Sequence, residues 1–245
     1  MPVFSRTIQL LGADKFAALN RAHVAIFGLG AVGSYVVEAL ARSGIGQLSL
    51  FDHDHISPSN INRQLLAVHS SINRPKAQVA RERVLDINPE CHVRAYEQFV
   101  NGDNAHSLLG PDVDVVVDAI DGVNSKVNLI VAARSLGLAV VSSMGAAAKM
   151  DPSAIQSADI ADTSCCPLAR IMRKRLRRRG ITSGVCCVFS TELAHHTHEA
   201  PEEEAWDNGD HGRPREPLGS ISYLTGIFGL YVAGEVVRLV LEGQN

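Results

Sequence analysis

His23-Val24-Ala25-Ile26-Phe27-Gly28-Leu29-Gly30-Ala31-Val32-Gly33 decides the fold of this chain. A short apolar run enters a Gly-x-Gly-x-x-Gly turn, and from Ala31 to Arg42 the residues Val32, Tyr35, Val36, Ala39 and Leu40 recur at helical spacing. This is strand, turn, helix. In such a turn the first glycine, Gly28, permits the tight bend, Gly30 lets backbone approach a phosphate, and Gly33 lets helix pack on strand. The helix N-terminus then presents unpaired N–H groups to an anion. Gly44 and Gly46 end the helix, and Gln47 to Asp52 reads as a second strand finishing on an acid. Asp52, nineteen residues after Gly33, is placed to take a ribose hydroxyl pair. These features predict nucleotide binding without separating NAD from ATP.

The alternation continues outward. Lys76 to Ile87 reads as helix, His92 to Tyr96 as strand, Val113 to Asp118 as a buried strand, Lys126 to Leu136 as helix and Leu138 to Ser143 as strand. Strands alternating with helices imply right-handed crossovers, so the predicted fold class is α/β, a doubly wound and mainly parallel sheet. Beyond Asp151 two further strands, Ser153 to Asp159 and Cys186 to Ser190, flank a strongly basic helix and extend the sheet. A single domain over 1–245 is expected, with an N-terminal arm at 1–22, a nucleotide-binding core at 23–150 and a substrate-side extension at 151–245. Residues 199–217 are acidic and rich in Pro and Gly, and read as a mobile loop.

Composition narrows the function. At 46% hydrophobic and 20% charged, with net charge −3, the chain is ordinary for a soluble domain and lacks the bulk charge that draws a protein to nucleic acid or acidic membrane. The five cysteines include two vicinal pairs, Cys165-Cys166 and Cys186-Cys187, but no C-x-x-C, so zinc and thioredoxin motifs are absent. Free thiols in a reducing cytoplasm are expected. Cys187 is read as packed beside a strand, and His195, His196 and His198 as loop residues without a fourth metal ligand. Leu218 to Leu241 is about the length of a membrane span, but Glu235, Arg238 and four glycines interrupt it, and a buried or subunit-interface helix is expected.

Ser59-Asn60-Ile61-Asn62-Arg63-Gln64, just past Asp52, favours ATP. With Lys76 behind Pro75, these residues gather the charge needed to neutralise a triphosphate and stabilise charge developing at its α-phosphate, a need hydride transfer does not have. Asp118 and Asp121 end a central strand, where open α/β sheets bind ligands. A carboxylate near polyphosphate holds Mg²⁺. Asp121 is the expected ligand, and Asp118 the residue expected to cap the following helix.

Together these motifs resemble the ThiF and MoeB superfamily of ubiquitin-activating-like adenylating enzymes. The likeness rests on Gly28-x-Gly30-x-x-Gly33, Asp52-x-Asp54, Asn60-x-x-Arg63-Gln64, Pro75-Lys76 and Asp118-x-x-Asp121. The resemblance implies that Asp52 and Asp54 hold the ribose side of ATP, that Asn60, Arg63, Gln64 and Lys76 serve the phosphates, and that Asp121 binds Mg²⁺. It also implies that Arg6 reaches the ATP site of a second subunit in a homodimer.

Members that charge ubiquitin-like proteins carry paired C-x-x-C motifs, which are missing here. The chain is instead similar to the tRNA threonylcarbamoyladenosine dehydratase branch through Ala41 to Gly46, Ile87 to Cys91, Asp151 to Gln156 and Gly184 to Glu192. That likeness implies ATP-dependent activation of the threonylcarbamoyl carboxylate beside the anticodon, followed by ring closure. A cysteine desulfurase or sulfur-carrier partner is also implied as possible, and the alternative activity is adenylation of such a carrier's C-terminal glycine. Arg170, Arg173, Lys174, Arg175, Arg177, Arg178 and Arg179 put seven cations in ten residues, a local cluster fit for phosphates. Of these, Arg170, Arg173, Lys174, Arg177 and Arg178 are the expected RNA-binding residues, with Leu168, Met172 and Leu176 docking the helix.

Overall fold

The computed structural model describes residues 3–195 and 218–243. Its strands are β1 (His23–Phe27), β2 (Gln47–Phe51), β3 (His92–Tyr96), β4 (Val115–Asp118), β5 (Ala139–Ser143), β6 (Ile155–Asp159) and β7 (Cys186–Ser190). Its helices are α1 (Ser5–Leu11), α2 (Ala13–Arg21), α3 (Gly33–Ser43), α4 (Lys76–Ile87), α5 (Val123–Ser135), α6 (Pro167–Arg177) and α7 (Ser222–Glu242). They form one seven-stranded sheet in the order β3-β2-β1-β4-β5-β7-β6, parallel except for the β6–β7 pair. Strand order reverses between β1 and β4, where parallel α/β sheets open a crevice at their carboxyl ends.

The strands follow from their side chains. Val24, Ile26, Leu48, Leu50, Val115 and Val117 face a first apolar layer with α3, α4 and α7, while Ala25, Phe27, Phe51 and Val116 face a second with α5 and α6. Both faces of the central strands are therefore covered, which is why β1 and β4 are buried along their whole length. Phe27, Phe51 and Tyr96 share one register row, and their rings stack with centroids 4.2 and 4.5 Å apart.

Several expectations shift at their edges. The strand expected from Val113 begins at Val115, and Ser153 belongs to a short 3-10 turn ahead of β6. The N-terminal arm is two helices broken at Gly12, whose φ is +85°. α7 has the length and hydropathy of a membrane span, but nine of its residues are buried, and it packs on α3 and across the first sheet face. It is a core helix of this domain. The acidic segment 199–217, His196 and His198 lie outside the described residues.

Candidate active site

The glycine turn leaves β1 beside the turn that leaves β4. Ala119 N–H donates to Phe27 O at 2.8 Å, and a Cβ placed on Gly28 would stand 2.6 Å from Ala119 O. Gly28 has φ +88°, and a Cβ on Gly33 would lie 1.8 Å from Gly28 O, so neither position admits a side chain. Gly30 differs. A Cβ there would meet only the Gln64 amide, at 3.8 Å, so this part of the turn faces open space. α3 begins at Gly33, two residues later than the sequence pattern suggested, and its Ser34 and Tyr35 N–H groups donate to Gly30 O and Val32 O, both at 3.1 Å.

Asp52 is buried at the end of β2. Its Oδ2 accepts the Leu29 N–H at 2.7 Å and its Oδ1 accepts the Asp54 N–H at 2.9 Å, so this carboxylate ties the glycine turn to the loop after β2. Lys76 opens α4 and is 5% exposed, with Nζ 2.7 Å from Asp54 Oδ2. Burial pushes the Asp54 carboxyl up, but the Lys76 ammonium, with His53 and His55, outweighs it and holds the carboxyl below the usual aspartate range. Asp52, His53 and Asp54 bring three potential metal-ligand atoms within 4.8 Å of one another, yet Lys76 already neutralises Asp54.

The Asn60 to Gln64 loop folds over the glycine turn. Asn60 Oδ1 accepts the Ser57 N–H at 3.2 Å, closing a capping box, and Leu65 N–H donates to Ser34 Oγ at 3.1 Å. Arg63 Nη1 donates to Ser59 O and Asn62 Oδ1 at 2.9 and 2.8 Å. Gln64 is 8% exposed, and its Oε1 is the buried side-chain atom without a hydrogen-bond partner among the described residues. The unsatisfied Oε1 is an acceptor, so its missing partner is a donor and not a phosphate oxygen. The Gln64 Nε2 is the atom that faces Gly30, so the amide presents a donor to the glycine turn.

Asp121 is exposed on the turn after β4. The expectation that Asp118 caps α5 is corrected: Gly122 is the N-cap residue, and Asp118 is fully buried, its Oδ2 2.9 Å from Lys126 Nζ and 2.6 Å from Ser142 Oγ. The strand carries Asp118 inward beneath the turn, too deep to reach the helix end. Lys126 escaped the sequence reading because a lysine in a helix's first turn looks like a solvated one.

Arg6 is not brought to this site by its own chain. It is exposed on α1, and the adjacent Phe4 packs on Phe16 and against Gly44, at the amino end of the sheet and away from Asp52. The basic helix behaves differently. Ala169, Met172 and Leu176 bury it, with Leu168 half-buried, and Arg170, Arg173, Lys174, Arg177 and Arg178 line an open cavity of about 360 Å³. Arg178 lies just past the helix end as its C-cap. Arg173 Nη1 also donates to Thr163 O at 2.6 Å, and Arg175 donates to Asn124 Oδ1, three residues past Asp121. The cationic helix thus docks on the segment that carries Asp121.

Cys91, Cys186 and Cys187 are not arranged for nucleophilic work. Cys187 is fully buried, and burial raises its pKa well above the ordinary thiol value. Burial likewise pushes Cys91 and Cys186 to about 11. His195 Nε2 sits 2.6 Å from Glu192 Oε1.

The ThiF family model matches residues 4–245. The chain is 36% identical over 240 residues to the tRNA threonylcarbamoyladenosine dehydratase of Bacillus subtilis, an overlap spanning 98% of this chain and 94% of that one. Among solved structures, the Escherichia coli tRNA N6-threonylcarbamoyladenosine dehydratase in complex with AMP superposes with TM-score 0.86 at 33% identity, covering 98% of this chain and 95% of that chain. The same enzyme in complex with ATP gives TM-score 0.86 at 32% identity, covering 98% and 94%.

Proposed function

This chain belongs to the ThiF family, and from that premise we propose that it is an ATP-dependent tRNA threonylcarbamoyladenosine dehydratase. The reaction adenylates the carboxylate of the threonylcarbamoyl group: a carboxylate oxygen attacks the α-phosphorus of ATP and pyrophosphate leaves. Ring closure on the activated carbonyl then expels AMP, so one water is lost from the nucleoside. A carboxylate is a poor electrophile and AMP a good leaving group, so adenylation supplies what the closure lacks.

The residues fit this chemistry. The space before Gly30, with the Gln64 Nε2 donor beside it, accommodates phosphate oxygens, and Asp52 stands at the ribose position. Lys76, Arg63 and Asn60 serve the phosphates, and the buried Lys76 ammonium is the group best insulated from solvent screening. Asp121 would hold Mg²⁺, which when bound neutralises phosphate charge and keeps most of its water shell. Asp54 pairs with Lys76 and orients it. Arg6 is supplied across a homodimer, since one chain leaves it at the far end of the sheet. The protein works in the cytoplasm on tRNA, as a single functional unit over 1–245, with a cysteine desulfurase or sulfur-carrier protein as its proposed partner.

The observation that carries the choice of an RNA substrate is the cationic cavity of α6, joined to the Asp121 segment through Arg175 and Asn124. A site that took only a protein's C-terminal glycine would not need five cations there. ATP–pyrophosphate exchange tests the choice: stimulation by tRNA bearing threonylcarbamoyladenosine supports it, and stimulation only by a ubiquitin-like carrier overturns it.

A further inference from the structure

The ion pair between Asp118 and Lys126 is fully buried, with both side chains at 0% exposure. Taking two charges out of water is costly, and apolar residues of similar volume pack as well or better, so such a pair is weak evidence for stability. Its value must lie in what it holds. Asp118 Oδ2 receives Lys126 Nζ at 2.9 Å and Ser142 Oγ at 2.6 Å, while Lys126 Nζ also donates to Ser143 O at 2.8 Å. Each of these bonds is buried and charge-assisted, and charge-assisted hydrogen bonds are the strong ones.

The pair spans the segment that matters. Asp118 ends β4 and Lys126 lies in the first turn of α5, so one ion pair clamps both ends of the loop that contains Asp121. Within that loop Asp118 Oδ1 accepts the Ile120 N–H at 3.3 Å, and Ala119 N–H is tied to Phe27 O at 2.8 Å. Ala119 also abuts Gly28, so the clamp bears on the phosphate-facing turn as well. The ion pair thus sets the path of the loop on which Asp121 stands, and misplacing a reacting group by an ångström is costly to catalysis.

We infer that Asp118 and Lys126 are a positioning pair, which fixes Asp121 against the glycine turn so that metal and phosphates are held in one geometry. This deepens the adenylation reading and rests on it for the role of Asp121. Neither residue touches substrate.

The double variant Asp118→Leu with Lys126→Met removes both charges together and leaves no buried ion unpaired. Ser142→Ala is the companion, a change too small to unfold the domain, which removes one bond on Asp118 Oδ2. Two quantities are read for each: the Kd of Mn²⁺ in the presence of a non-hydrolysable ATP analogue, and kcat for ATP-dependent dehydration. The double variant should keep its Tm within a few degrees, weaken Mn²⁺ about tenfold or more and lower kcat at least 100-fold. Ser142→Ala should weaken Mn²⁺ about threefold or more. If Mn²⁺ affinity and kcat stay within threefold of wild type in the folded double variant, or if Ser142→Ala changes neither, the inference is overturned. The Mn²⁺ measurement needs no tRNA, so a wild-type protein that fails to modify tRNA counts against the functional reading and leaves this one to be judged by binding.

Discussion

Lys76 Nζ lies 2.7 Å from Asp54 Oδ2, and only one of the two is buried: the lysine side chain is 6% exposed and the aspartate 45%. The asymmetry suits a lysine held inside the domain by a carboxylate at its surface. Lys76→Met, which keeps the packing and removes the charge, should lower kcat for adenylation by about 100-fold or more, the range found for loss of one preorganised electrostatic group. Steady-state ATP–pyrophosphate exchange checks this, with the melting temperature as control. Activity within tenfold of wild type would take Lys76 out of the transition state.

The same pair gives stability a pH dependence. The folded Asp54 pKa lies below its unfolded value, so its contribution is fully present above the ordinary aspartate pKa and is lost as pH falls through the folded one. Asp54→Asn should destabilise the protein at pH 7 by about 2 kcal/mol, between the ~0–1 of exposed pairs and the ~3–5 of broken buried ones. Urea melts from pH 7 downward should show the two proteins converging only in strongly acidic solution. A difference that vanished already at pH 6 would contradict the ion pair as its source.

Ring closure on an acyl adenylate needs no thioester. Cys187→Ser should therefore retain dehydratase activity within a fewfold, with any loss accompanied by a drop in melting temperature, because the side chain is fully buried. Among the described cysteines Cys165 is the exposed one, and brief iodoacetamide treatment of the native protein at neutral pH should label it ahead of the others. Peptide mass spectrometry reads the outcome. Selective loss of activity in Cys187→Ser with an unchanged melting temperature would point to covalent catalysis.

The α6 cations predict a salt effect. Arg170→Glu with Arg177→Glu should weaken tRNA binding and flatten the dependence of log K on log salt by about one unit for each phosphate no longer neutralised. ATP affinity should stay unchanged, since neither residue lies at the glycine turn. Filter binding at several salt concentrations measures both, and an unaltered slope would leave α6 as solvated surface.

Much of the fold was legible because the elements carry strong patterns. The spans of α4, β3 and β7 coincide with their apolar periodicity, and the glycine turn fixed β1 and α3 to within two residues. The N-terminal helices were not legible because α1 buries no residue and Gly12 interrupts the period. The place of the candidate site was legible from the residue types after β2 and β4, since those ends converge when strand order reverses between β1 and β4. What stayed hidden depends on depth. Asp118 and Asp121 look alike in a row of letters, yet one points into the sheet and one lies on the surface. Lys126 and the unsatisfied Gln64 amide are likewise defined by what lies opposite them, which no local spacing encodes.

Nucleoside mass spectrometry tests the central claim most directly. Purified protein is incubated with ATP, Mg²⁺ and tRNA bearing threonylcarbamoyladenosine, and the digested nucleosides are compared with a sample lacking ATP. The account predicts that the modified nucleoside is replaced by a form lighter by one water, with AMP and pyrophosphate formed in equal amount. An unchanged nucleoside in the presence of a folded, ATP-binding protein would contradict it.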